Sequence, residues 1–160
     1  MYSKIRLILV GFLIGAAVAV AVVWHILPDL MLETKPSNMA FDETVREIES
    51  EALGRGWMVP KIYDLQYSLQ TAGHADMTRM KVVSLCHPDY AYNILTDDVN
   101  KKVASMMPCR IGVFEAADGN VYITRMNMGL MSRMFGGKIE DVMTRVQTEE
   151  DLILADIEAR

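Results

Sequence analysis

The sequence predicts an α+β fold: a two-layer domain with a mainly antiparallel sheet and packed helices, preceded by one transmembrane helix. Three observations carry that expectation. Leu7 to Leu27 is an unbroken apolar stretch in which His25 is the only ionisable group. Beyond it, short runs of strand length at 57–65, 80–85, 110–115 and 121–126 are bounded by Gly, Pro and Asp-Gly signals. The last two runs are joined by Ala116-Ala117-Asp118-Gly119-Asn120, a hairpin turn that makes their pairing antiparallel.

The 21-residue apolar stretch spans about 31 Å as a helix, close to the hydrocarbon thickness of a bilayer. Lys4 and Arg6 precede it and Asp29 and Glu33 follow, so residues 1–6 are expected in the cytoplasm. The remainder is then extracytoplasmic, and periplasmic in a Gram-negative cell. A cleaved signal peptide is the rival reading, because Ala19-x-Ala21 resembles a cleavage site, but the apolar core is longer than the usual ~7–15 residues. Within the span, Gly11, Gly15 and Ala19 form one small-residue face of the kind that lets two membrane helices approach.

Residues 28–40 contain two prolines and no sustained period, and read as a linker. The α+β domain is expected over 41–127. It opens with a helix capped by Asp42, buries Val45, Ile48 and Ala52, and stops at Gly54 and Gly56. The strand at 57–65 contains Pro60, which removes a ladder donor and marks an edge or a bulge. Tyr67 to Asp76 reads as a short turn or helical piece. The strand at 80–85 leads into a helix from Pro88 to about Met106, and the strand at 110–115 follows. Residues 128–160 form a Met-rich segment and C-terminal helices. One helix buries Ile139, Val142, Met143 and Val146, and a last one is capped by Thr148. The acidic residues of this region, Glu149 to Asp151 among them, read as a solvated surface.

Composition narrows the function classes. With 160 residues, 51% apolar, there is room for one folded domain and an appendage. A net charge of −5 and the lack of a Lys/Arg block disfavour nucleic acid as a partner. Two cysteines are too few for a disulfide scaffold, and their spacing matches no zinc motif. There is no C-x-x-C-H, so no covalent c-type haem is expected. Neither a nucleotide-binding glycine motif nor a G-x-S-x-G elbow is present, and no enzyme constellation stands out.

The candidate chemistry lies at the two ends of the 88–106 helical connection. Cys86 and Cys109 approach at one end of the sheet if their strands are neighbours. Three readings fit them: a structural bridge, a ligand or redox site, and buried inert thiols. Cys86, close to a helix start, is a candidate for a lowered thiol pKa. With His87 adjacent, Cys86, His87 and Cys109 form a candidate ligand or metal site. His74 or a methionine could complete it for copper, zinc or non-covalent haem. Met128, Met131 and Met134 have a spacing seen in thioether sites for Cu(I), but a packed apolar face is the simpler use of Met. Arg125 and Arg133 beside them suit anionic headgroups or an acidic partner.

Gly56-Trp57-Met58-Val59, Leu85-Cys86-His87-Pro88 with Ala91, and Met107-Pro108-Cys109-Arg110-Ile111 resemble the domain of unknown function 302 family over roughly Phe41 to Asn127. The resemblance implies a compact two-layer α+β fold, often a homodimer, with no settled biochemical role. It also implies a recurrent cysteine-led turn at Cys86 and a Pro-Cys pair at 108–109. Taken together, the sequence points to a membrane-anchored binding or accessory module for a metal, haem or small ligand, or a subunit of a membrane redox complex. The alternatives are a thiol-disulfide protein using Cys86 and Cys109, and a purely structural subunit of a larger membrane assembly.

Overall fold

The structure is a computed structural model and describes residues 2–159. Met1 of the expected cytoplasmic tail and Arg160 of the C-terminal segment lie outside them, as do the side chains of residues 2–4, 7 and 8, Lys4 and Leu7 among them. The domain is α+β. Its strands β1 (Leu32–Pro36), β2 (Met58–Asp64), β3 (Met80–Cys86), β4 (Cys109–Glu115) and β5 (Val121–Met126) form one five-stranded sheet in the order β1-β5-β4-β3-β2. Every neighbouring pair is antiparallel. The helices are α1 (Tyr2–Met31), α2 (Phe41–Gly54), α3 (Leu65–Thr71), α4 (Pro88–Leu95), α5 (Met128–Arg133) and α6 (Gly137–Leu154), with a 3₁₀ segment at Asp98–Met106.

Strand side chains alternate between faces, and one face is closed by helices. Val83, Leu85, Ile111, Val113 and Ile123 point into that layer, where they meet Val45, Ile48 and Ala52 of α2 and Ile139, Val142 and Val146 of α6. Each fully buried aliphatic side chain contributes roughly 1.5–3 kcal/mol. The 3.6-residue spacing of both helices is what aims these residues at the sheet. Gly56 ends α2 with φ +80, a left-handed conformation suited to glycine, and the chain turns into Trp57.

β2 is an edge strand, and its register shifts between Met58 and Lys61, around Pro60. The other edge is β1, inside the stretch expected to be a linker. α1 runs through Pro28 to Met31, and Leu32 to Pro36 then pair with β5. This edge strand is largely exposed on both faces, so it carries no burial pattern for a sequence reading to detect. The C-terminal region likewise belongs to the domain, because α6 supplies a large share of the core.

Three smaller expectations are also corrected. Asp42 is not the cap of α2: Ala40 holds that position, and Asp42 in the first turn pairs with Arg79. The expected helix 88–106 breaks after α4, where Thr96 Oγ1 donates to the Tyr92 carbonyl and Asp97 turns extended before the 3₁₀ segment. Short polar side chains compete in this way for backbone groups. Thr148 does not start a new helix. It sits inside α6 and donates to the Thr144 carbonyl at 3.1 Å.

α1 is long and apolar enough over Leu9–Met31 to be a candidate membrane span, and none of that span is buried within the domain. Its end is tied to the domain by the Asn127 N–H, which donates to the Met31 carbonyl at 2.8 Å.

Gly112 lies in the middle of the uncovered face of the sheet, opposite Thr124 on β5 and Val82 on β3. A Cβ there would stand 2.8 Å from Thr124 Cγ2, closer than side-chain atoms tolerate. Gly112→Ala is therefore expected to destabilise the domain by about 1–3 kcal/mol in urea unfolding. Adding Thr124→Ser, which removes the offending methyl, is expected to restore most of the loss. A double variant no better than Gly112→Ala would show that the close approach is not the cause.

A thiol-lined cavity and a buried charge cluster at one end of the sheet

Cys86 is the last residue of β3, and Cys109, the first of β4, pairs with its neighbour Leu85. The chain between them folds back through α4 and the 3₁₀ segment, so both cysteines reach the same end of the sheet. Both are free thiols. His87 follows Cys86 at the N-cap of α4, where its side chain makes no capping hydrogen bond, and Pro88 takes the first helical turn. The Met107–Pro108 peptide that leads into Cys109 is cis.

Cys86, His87 and Cys109 line one cavity of about 30 Å³, with Trp57, Tyr90, Met106 and Met143 among its other walls. The His87 ring stands 5.5 Å from Trp57, edge to face, and 4.3 Å from Tyr90. Among the described residues, the buried Trp57 Nε1 and His87 Nδ1 have no hydrogen-bond partner. Two polar atoms beside a space of this size match a water-sized occupant and fall far short of a porphyrin. Among the described residues, no group of three or more His, Cys, Asp or Glu side chains is disposed to hold a metal ion. Cys86, His87 and Cys109 thus share a cavity without forming such a cluster. His87 is committed to an aromatic stack, and His74 is exposed near α3, outside the cavity walls.

The helix start does not lower the Cys86 thiol. Burial pushes its pKa up, and burial with the nearby Glu150 carboxylate pushes Cys109 up further. Both are therefore held as thiols at neutral pH. Of the methionines, Met128 and Met131 are buried while Met134 is 71% exposed, an arrangement of packing and not of convergent thioethers. Met128 closes the cavity floor.

Behind Cys109 lies a group the sequence did not disclose. Arg125 on β5 has a side chain only 3% exposed and is faced by three carboxylates. Its Nη2 is 3.1 Å from Glu33 of β1 and 2.5 Å from Asp151 of α6, and its Nη1 is 3.9 Å from Glu150 of α6. Arg125 is therefore turned inward and not presented on the surface, and Glu150 is buried with it, while Asp151 remains half exposed. No local signal marked Arg125. Its parity with Ile123 on the core face is the one clue, and that needs the strand's orientation. A second, larger cavity of about 320 Å³ adjoins the first, sharing Met106, Pro108, Cys109 and Met128, and reaches Arg125 and Glu150. Gly11, Gly15 and Ala19 lie on α1, away from both cavities, and a Cβ at Gly11 or Gly15 would touch nothing within 4 Å in this chain.

These features define a small α+β domain with a buried thiol-lined end, borne on an apolar N-terminal helix. Residues 33–157 match the family described as domain of unknown function DUF302, and the chain belongs to that family. In fold it is similar to the crystal structure of an uncharacterized conserved DUF302 protein from Bacillus stearothermophilus. The TM-score is 0.70 at 19% identity, over 79% of this chain and 98% of that one. No curated protein matches the chain.

Glu150 makes the electrostatics testable. Burial raises its carboxyl from 4.5 to about 7, against the opposing pull of Arg125. The folded protein therefore holds this proton more tightly than the unfolded chain. The associated stability is full below pH 4.5 and is lost as pH rises to about 7, a change on the order of 3 kcal/mol. Glu150→Gln, a mimic of the protonated acid, is expected to match the wild type in melting temperature near pH 5 and to exceed it at pH 8. A variant less stable than the wild type at pH 8 would mean that pairing with Arg125 outweighs the burial of Glu150.

Proposed function

We propose that the protein is a membrane-anchored binding or accessory module. In this reading α1 spans the membrane, the domain is extracytoplasmic, and a species of no more than a few atoms sits in the cavity walled by Cys86, His87 and Cys109. The observation that carries the reading is the convergence of these three side chains on one space beside two buried polar atoms without partners. Buried donors and acceptors of this kind are ordinarily satisfied, which argues for an occupant. The apolar, unburied α1, continuous with the first strand of the sheet, supports the anchor. Lys4 and Arg6 support its orientation.

A second reading, a thiol redox pair, is favoured by the proximity of Cys86 and Cys109 at one cavity and opposed by the burial that keeps both protonated. A role in a larger assembly or a homodimer draws on the Gly11, Gly15 and Ala19 face, which is open within this chain.

The test is purification of the full-length protein from membranes in gentle detergent, read by native mass, elemental analysis and visible absorption. A bound small species, lost in His87→Ala and Cys86→Ala while both variants keep the wild-type circular dichroism, is the expected result. Unchanged occupancy in both variants, or an empty wild-type cavity, would sink the reading. A mass two hydrogens lighter under non-reducing conditions would transfer the case to the redox pair.

A further inference from the structure

The larger cavity owes its existence to strand geometry. β4 stays paired with β3 as far as Cys109, whereas its pairing with β5 ends at Ile111 opposite Arg125. Past that point the chain after β5 turns away into α5, and a gap opens between Arg110 and Met126. The cavity, about 320 Å³, runs from the uncovered sheet face through this gap to the charge cluster. Its outer part is mostly apolar, over Val82, Gly112 and Met126, with Thr124 and Arg110 also in its walls. Its inner end is Arg125.

Arg125 is where the site asks for a ligand atom. Nη2 is taken by Glu33 and Asp151, but among the described residues the buried Nε and Nη1 have no hydrogen-bond partner. The carboxylate of Glu150 stands 3.9 Å from Nη1, an attraction too long for a hydrogen bond. Two orphaned donors on a guanidinium 3% exposed, at the end of an apolar space, call for an acceptor from outside the chain. Glu33 and Asp151 already balance the Arg125 charge, with Glu150 close by, so the guanidinium has no surplus charge for an anion to neutralise. A carboxylate or phosphate is thus the wrong acceptor, and a neutral oxygen is the right one.

We propose that this cavity binds a membrane-borne lipophile bearing a neutral carbonyl oxygen. The apolar body lies along Val82, Gly112 and Met126, and the oxygen accepts from Arg125. The membrane is the source because Leu32, a wall of the cavity, directly follows the last residue of α1, and the Met31 carbonyl is hydrogen-bonded to Asn127. One wall of the cavity therefore stands where the apolar helix ends. This source rests on the anchored reading above, whereas recognition of the oxygen does not.

The experiment uses the full chain in detergent and two probes of nearly equal shape, 2-acetylnaphthalene and 2-ethylnaphthalene, with bound probe counted by native mass spectrometry. The ketone is expected to bind at least about tenfold more tightly, since the hydrocarbon leaves the Arg125 donors unmade. Val82→Trp, which fills the outer cavity away from the charges, is expected to abolish binding of both probes. Equal affinity of the two probes, binding of neither, or ketone binding untouched by Val82→Trp would overturn the assignment. The probe comparison needs no variant, so it stands even if Val82→Trp fails to fold. Solvent extraction of untreated protein is expected to release a stoichiometric carbonyl-bearing lipid; a water-soluble occupant would overturn the membrane source alone. Loss of probe binding with the His87-dependent species retained would leave the thiol-lined site standing.

Discussion

A guanidinium cannot lose its proton at any pH the protein meets, so burying Arg125 commits the surrounding structure to supplying negative charge. The chain does this from three directions. Glu33 comes from the first strand, and Glu150 and Asp151 come from the last helix. The ends of the domain are thereby locked to its central sheet at one point. β1 takes the register that sets Glu33 opposite Arg125, and α6 lies so that its acidic turn meets the same group. The demand also extends to Cys109, whose thiol is kept protonated partly by the carboxylate that serves Arg125.

The same constraint shapes the two cavities. An ion cluster at the inner end of the sheet cannot be packed as densely as an aliphatic core, because its members need donors and acceptors in place of close contact. β4 and β5 part immediately beyond Arg125, and the space that opens is apolar toward the uncovered face and charged within. On its other side, the turn Cys86-His87-Pro88 folds α4 down over Trp57, which leaves a smaller aromatic-walled cavity around the thiols. Cys109 lies between the two. With Met106, Pro108 and Met128 it forms the wall that the two cavities share.

Much of this architecture was legible from local pattern. The alternation of β5, the Asp-Gly turn before it and the helical stripes of α2 and α6 are short-range consequences of side-chain period, and each is found where the sequence puts it. The convergence of Cys86, His87 and Cys109 on one space was also readable, because a connection between antiparallel neighbours returns to the end it left. Other features left no local trace. β1 has too little burial to show a period, and Asp97 breaks a pattern that otherwise continues as helix. The acidic run at 149–151 has the composition of a surface and conceals a carboxylate that is 2% exposed.

The sequence by itself determined the class of the domain, the apolar helix that precedes it, most of the strands, and the residues that come to line the smaller cavity. Those properties follow from periodicity and from turn chemistry within a few residues. Only the tertiary structure decided that Arg125 faces inward, that Glu33 and Glu150 converge on it from opposite ends of the chain, and that the thiols are raised instead of activated. The reason is physical: burial, pairing and desolvation depend on what lies across the core, and partners on different elements, far apart in sequence, leave no mark on each other's local pattern.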